Sequence, residues 1–254
     1  MEIIKSKANQ TIVLINKLKQ KKYRDKLGLF FIESDKVVKE AINNNVEIET
    51  LLLEESKYDF LQQVKFDGKV LVIDKILSEY ITDCVTPQGV FAVCRAKKQE
   101  KLKITGNFLV MENLQDPDNV GACIRSAVAS GFKDICVINC ADPYSNKAIR
   151  TSMANVFKAN IYNISYEELE KNSKNVVLLC ADMNGENVFD IKLDTSKKYG
   201  VVIGNEGNGV TDKIQKLCTK TVAIPMKNGV ESLNASVSAS IIMYQISTKF
   251  DKFC

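Results

Sequence analysis

Apolar positions early in the chain recur at helical spacing. Ile12, Ile15 and Leu18, with Val13 and Leu14 beside them, form a stripe that predicts a helix. The basic stretch 19–26 follows and predicts a loop, and the unbroken run Leu29-Phe30-Phe31-Ile32 predicts a strand. Ser34 then stands where an N-cap belongs, ahead of Val37, Val38, Ala41 and Ile42, and Asn43-Asn44-Asn45 supplies a stop. Short apolar runs at 48–53, 70–73 and 89–94 predict further strands, giving a compact α/β/α unit. From Ala96 to Gly106 the chain is polar and Lys-rich with no apolar face to bury, which predicts a linker at 97–106 between one domain at 1–96 and another at 107–254. Beyond it, strand patterns at 108–111, 135–138, 176–180, 200–203 and 221–224 alternate with helical ones, and the last helix is expected at 235–249. Strands alternating with helices predict a mostly parallel sheet covered on both faces.

Composition narrows the chemistry. The 254 residues are 45% apolar and 26% charged, a balance that fits globular domains. The longest obvious apolar run, 176–181, falls far short of the roughly 20 residues of a membrane span, and the first residues lack a signal-peptide core, so a cytoplasmic protein is expected. There the eight cysteines are expected as thiols, and the absence of any Cys-x-x-Cys pair argues against a zinc site. No histidine is present, which removes Ser-His-Asp, Cys-His and His-metal mechanisms. The net charge of +4 is unevenly placed: residues 1–26 hold eight Lys/Arg against Glu2 and Asp25, Lys97, Lys98, Lys101 and Lys103 form a second basic patch, and the chain from Ile104 onward is neutral. Basic segments attract polyanions, although a solvated helix face explains the charge as well, and Lys21, Lys22 and Arg24, crowded in a polar stretch, are the candidates for gripping phosphates.

Three loops follow predicted strands at the ends where open α/β sheets bind ligands. The first, from Glu112 to Gly121, leads into a helix carrying Arg125. Asn119 near the helix start and Arg125 six residues on are expected to face one pocket, where an Arg beside a helix N-terminus suits a phosphate, although simple capping would also explain Asn119. The second, Gly204-Asn-Glu-Gly-Asn-Gly209, is neither Gly-x-Gly-x-x-Gly nor a P-loop; a tight turn explains its glycines but not Glu206. In the third, Ser232, Asn234 and Ser236 bunch before a long helix beside Ile224, Met226 and Leu233, a set with apolar walls and a few polar pins.

Taken in order, the three loops resemble the motifs of the SpoU (TrmH-like) RNA methyltransferase family: Asp116-Pro-Asp-Asn-Val-Gly-Ala-Cys-Ile-Arg125, Ile203-Gly-Asn-Glu-Gly-Asn-Gly209, and Ile224-Pro-Met followed by Ser232-Leu-Asn-Ala-Ser236. The segment from Lys17 to Arg24, Leu29-Phe-Phe-Ile-Glu33 and Thr86-Pro-Gln-Gly89 are similar to the RNA substrate-binding domain that often precedes the catalytic one, with Ser34 where many relatives have Gly. The resemblance implies a trefoil-knotted parallel-sheet domain behind a small RNA-binding domain, a homodimer, and transfer of a methyl group from S-adenosylmethionine to a ribose 2′-hydroxyl. Ribosomal RNA is the preferred substrate and transfer RNA the alternative. It assigns Gly204, Ile224 and Leu233, with Met226 beside them, to the cofactor, and Asn119, Arg125, Glu206, Ser232 and Asn234 to the catalytic set. Guanidinium groups stay protonated in proteins, so Arg125 is expected to hold phosphate and ribose, with Glu206 the alternative proton acceptor. A non-catalytic RNA-binding protein and a base methyltransferase are the rival readings.

Overall fold

The computed structural model describes residues 3–97 and 101–250. Lys98 of the second basic patch, part of the expected linker, and Cys254 lie outside the described residues. The chain divides into two compact units, Met1–Lys98 with Tyr144–Phe157, and Gln99–Pro143 with Lys158–Cys254.

The first unit begins with β1 (Ile3–Ile4), α1 (Gln10–Leu18), α2 (Lys21–Leu27), β2 (Leu29–Glu33) and α3 (Asp35–Asn43), and continues through β3 (Ile48–Glu54), β4 (Val70–Ile73), α4 (Lys75–Ile81) and β5 (Val90–Arg95). Its five-stranded sheet has the order β1-β4-β3-β5-β2, with β5 antiparallel to both of its neighbours and the other pairs parallel. The α1 stripe packs Ile12, Ile15 and Leu18 into a core with Phe31, Leu52, Leu77 and Phe91, where the rings of Phe31 and Phe91 stack at 5.9 Å. Residues 21–27 are helical, not the loop expected from their polarity. The helix ends on Gly28 at φ 64°, the left-handed conformation that favours glycine. Ser34 caps α3, its Oγ accepting from the Val37 N–H at 3.3 Å, and does so at φ 94°. That backbone angle gives the physical reason a glycine suits this position.

The second unit opens with β6 (Phe108–Glu112), α5 (Pro117–Ala129) and β7 (Asp134–Ile138). Next comes α6 (Asn146–Thr151), within the segment that clusters with the first unit; there Glu33, 2% exposed, accepts from Arg150 Nη1 at 2.8 Å and Asn146 Nδ2 at 2.7 Å. The second unit resumes with β8 (Asn160–Asn163), α7 (Tyr166–Asn172), β9 (Val177–Asn187), β10 (Tyr199–Ile203), α8 (Asp212–Gln215), β11 (Lys220–Ala223) and α9 (Ala235–Phe250). All six strands are parallel, in the order β11-β9-β10-β6-β7-β8. Phe108, Val110, Leu178 and Val202 from the sheet centre form the core with Ile214 of α8 and Leu169 of α7. The pattern missed β8, a short edge strand whose Tyr162 alone is buried, and the far half of β9, which re-pairs with β11 after a register break. α9 lies against α5 and β10, and Ser240 Oγ bonds Ser126 Oγ at 2.6 Å between the two helices. No helix of the described residues is long and apolar enough to cross a membrane.

Candidate active site

Because the six strands are parallel, the loops after β6, β10 and β11 emerge at one edge of the sheet. β6 and β10 are neighbours, and β11 stands two places beyond β10. The return of the chain from β11 into α9, which packs on α5, brings the third loop back to the first.

Asn119 is where the three loops meet. It is not the cap of its helix, since Asp116 takes that role by accepting from the Asp118 N–H at 3.0 Å, with Pro117 in the first turn. The Asn119 side chain is therefore free for other partners. Its Nδ2 donates to Glu206 Oε1 of the second loop, and its Oδ1 accepts from Asn234 Nδ2 of the third at 2.8 Å. Asn234 in turn caps α9, its Oδ1 accepting from the Ser236 N–H at 2.9 Å and Ser236 Oγ at 2.7 Å. Ser236, Asn234, Asn119 and Glu206 thus form one hydrogen-bonded chain across three loops that are distant in sequence. Such networks fix side-chain orientation more firmly than isolated pairs do.

The second loop is shaped by a residue that sequence reasoning passed over. Asn205 and Gly209 exchange backbone hydrogen bonds at 3.0 and 2.8 Å, while Asn205 Oδ1 accepts from the N–H groups of Gly207 and Asn208. Asn205 Nδ2 reaches back to the Asn113 carbonyl at 3.0 Å, fastening this loop to the first. The signal was available, because Asn side chains satisfy nearby backbone groups in turns. The loop is a tight turn, and it presents the exposed Glu206 carboxylate toward Asn119. Gly204 is buried, and a Cβ there would stand 2.2 Å from the Gly209 carbonyl carbon and oxygen. Its lack of a side chain serves closure of the loop on itself, so Gly204→Val would break the loop and is not a clean test of ligand binding.

Arg125 and Ser232 stay outside the network. Six helical residues turn by about 600° at roughly 100° per residue, so Arg125 and Asn119 leave α5 about 120° apart around its axis. Arg125 is exposed and makes no hydrogen bond or ion pair with a described residue. Ser232 is likewise exposed without a described partner. Along the third loop Met226 and Val230 are exposed at 36% and 50%, and Ile224 and Leu233 are half-buried. Uncovered apolar side chains beside polar pins suit a ligand that carries both an apolar ring and hydrogen-bonding groups.

In the first unit the basic cluster divides. Arg24 is 9% exposed and its Nη1 donates to the carbonyls of Leu18 at 2.8 Å and Lys19 at 3.0 Å, closing the C-terminal end of α1. Nη1 of the guanidinium is thus engaged within the fold, unlike the lysines beside it. Lys19 pairs with Asp83 at 3.0 Å. Lys21 and Lys22 are exposed. Arg24→Ala is expected to lower stability by about 1–3 kcal/mol, the usual range for stranding buried acceptors. Thermal unfolding that matches the parent would refute this role.

Comparison with known proteins agrees with this geometry. The SpoU rRNA Methylase family model matches residues 106–244, and the model of the MRM3-like substrate binding domain matches residues 9–92. The chain is 29% identical over 254 residues to the 23S rRNA (guanosine(2553)-2′-O)-methyltransferase RlmP of Bacillus subtilis, covering 97% of this chain and 99% of that protein. It is 28% identical to a 23S rRNA (uridine(2479)-2′-O)-methyltransferase of Streptomyces viridochromogenes, over 87% of this chain and 83% of the relative. A solved structure of an AdoMet-bound rRNA methyltransferase from Sinorhizobium meliloti superposes with a TM-score of 0.87 at 23% identity, covering 99% of both chains. With its second unit and all three loops inside the matched span, the chain belongs to the SpoU rRNA Methylase family and is an RNA methyltransferase.

Proposed function

We propose that this protein transfers a methyl group from S-adenosylmethionine to a ribose 2′-hydroxyl of ribosomal RNA. The observation that carries the reading is the hydrogen-bonded chain from Ser236 through Asn234 and Asn119 to Glu206, which a passive RNA-binding protein does not need. The substrates of the two 23S rRNA methyltransferase relatives favour ribosomal over transfer RNA. The cofactor supplies an electrophilic methyl group on a sulfonium. Gly204 and the third loop, with Ile224, Met226 and Leu233, would hold it, and the uncovered apolar side chains of that loop suit its adenine ring. Asn119 fixes the Glu206 carboxylate. Its Oε2, with only a long 3.4 Å contact from Asn205, is open to a substrate hydroxyl and takes the ribose proton as the oxygen attacks in line. Arg125 grips the adjoining phosphate, and Ser232 and Asn234 line the same site.

The finer architecture belongs to the same proposal. The route of the chain from β10 past β9 to β11 and back onto α5 suits a trefoil knot. The protein acts as a homodimer: Arg125 makes no bond to the network of its own chain, and Val237 and Tyr244 of α9 are exposed at 45% and 41%, as a second subunit would require. We place the division between the domains at the expected linker, 97–106, and the seven described cysteines, all free thiols, fit a cytoplasmic protein.

The test is mass analysis of nuclease-digested ribosomal RNA incubated with and without the protein and S-adenosylmethionine. One added ribose methyl group is the expected result. Methylation of a base, of transfer RNA alone, or of nothing would reject the reading. In the first unit, replacing Lys21 and Lys22 with Ala is expected to weaken RNA binding and flatten its salt dependence by up to about one unit of log–log slope per lost phosphate contact, with cofactor affinity unchanged. An unaltered slope would return both lysines to the solvated surface.

A further inference from the structure

Glu112 is the last residue of β6 and is fully buried at 0% exposure, although in sequence it reads as the opening of a polar loop. A buried carboxylate is costly unless it is compensated. Here no cation among the described residues pairs with it. Both of its oxygens are instead directed at one residue, 99 positions later: Oε2 accepts from the Thr211 N–H at 2.9 Å and Oε1 from the Thr211 hydroxyl at 2.5 Å. Thr211 stands at the N-cap of α8, yet its side chain makes no capping bond. Its hydroxyl serves Glu112, so the local helix loses a stabilising contact for the sake of a distant one. Charge at this point is also felt nearby: the Cys140 thiol is pushed up to about 11, by burial first and then, against the lowering effect of backbone hydrogen bonds at Leu114 and Ile138, by the carboxylates of Glu112 and Glu206.

The second loop is therefore held at both ends against β6. Asn205 is fastened to the Asn113 carbonyl at its start, and Thr211 to Glu112 at its finish. Between the two anchors projects Glu206, whose only described partners are side chains, Asn119 and Asn205. We infer that Glu112 and Thr211 are a positioning pair that fixes the loop carrying Glu206 for methyl transfer, an inference that rests on the catalytic reading of Glu206 above. The pair touches no reacting atom. Its effect is to remove loop freedom that would let the carboxylate drift from Asn119.

Thr211→Val removes the hydroxyl and keeps the shape, and Thr211→Ser restores the hydroxyl. In the free protein, hydrogen exchange of the backbone amides at 205–211 is expected to rise about tenfold or more in the Val variant and to stay near the parent rate in the Ser variant. The turnover rate with ribosomal RNA is expected to fall about tenfold in the Val variant, with KM for RNA little changed, and to recover in the Ser variant. Unchanged exchange in the Val variant overturns the proposal. So does raised exchange with full turnover well below the melting temperature, which would make the pair purely structural. Should the parent protein methylate no RNA, the catalytic reading fails separately, and the exchange rates still decide whether the pair holds the loop.

Discussion

Arg125→Ala is expected to reduce methyl transfer by roughly a hundredfold or more, the scale on which loss of substrate positioning acts. The structure makes this a clean experiment. Arg125 is exposed on α5 and bonded to no described residue, so its removal is expected to change stability by no more than about 0.5 kcal/mol. A large rate loss in a protein that unfolds at the parent temperature then reports on substrate and not on fold. Arg125→Lys should recover little, because one ammonium does not reproduce a planar two-point grip on phosphate. Cofactor affinity, measured by calorimetry, should survive both changes. Transfer at close to the parent rate in the Ala variant would make Arg125 a surface residue and remove it from the site. If the subunits pair as proposed, mixing Arg125→Ala protein with a variant inactive at Glu206 should restore part of the activity, since a mixed dimer carries one intact combination.

What the sequence made legible was the periodic part of the molecule. Ile12, Ile15 and Leu18 are buried together, and the central strands of the second unit are buried on both faces, which is why their apolar runs could be read directly. The three loops were legible as well, because glycine and asparagine clusters after buried strands have few structural uses. Illegible features depended on partners far away in the chain. α2 looked like a loop because its residues are polar, and the bonds from Arg24 to the α1 carbonyls, with the Gly28 cap, help hold a charged segment as a helix. β8 has too few buried positions to show a period. Glu112 looked like loop because a carboxylate at a strand end is ordinarily solvated, and the compensating Thr211 comes 99 residues later.

Glu206→Gln is the sharper test of mechanism, with an expected loss of about 100- to 10,000-fold in the turnover rate, the range for removing a general base. The substitution keeps size and shape and leaves one oxygen to accept from Asn119 Nδ2, so the chain through Asn119 and Asn234 to Ser236 can persist. What it removes is charge and the capacity to take up a proton. Histidine is absent from the chain, and guanidinium does not serve as a base, so few groups could replace the carboxylate. Asn119→Ala offers the complementary change. It leaves Glu206 chemically intact and releases it from its fixed position, and should cost less, about tenfold to a hundredfold, because a mobile carboxylate reaches the productive geometry only part of the time. The two defects should not add when combined, since both act through the same carboxylate. Normal turnover in Glu206→Gln would show that the proton leaves by another route, through a substrate phosphate or water, and would reduce Glu206 to a structural clasp for Asn119.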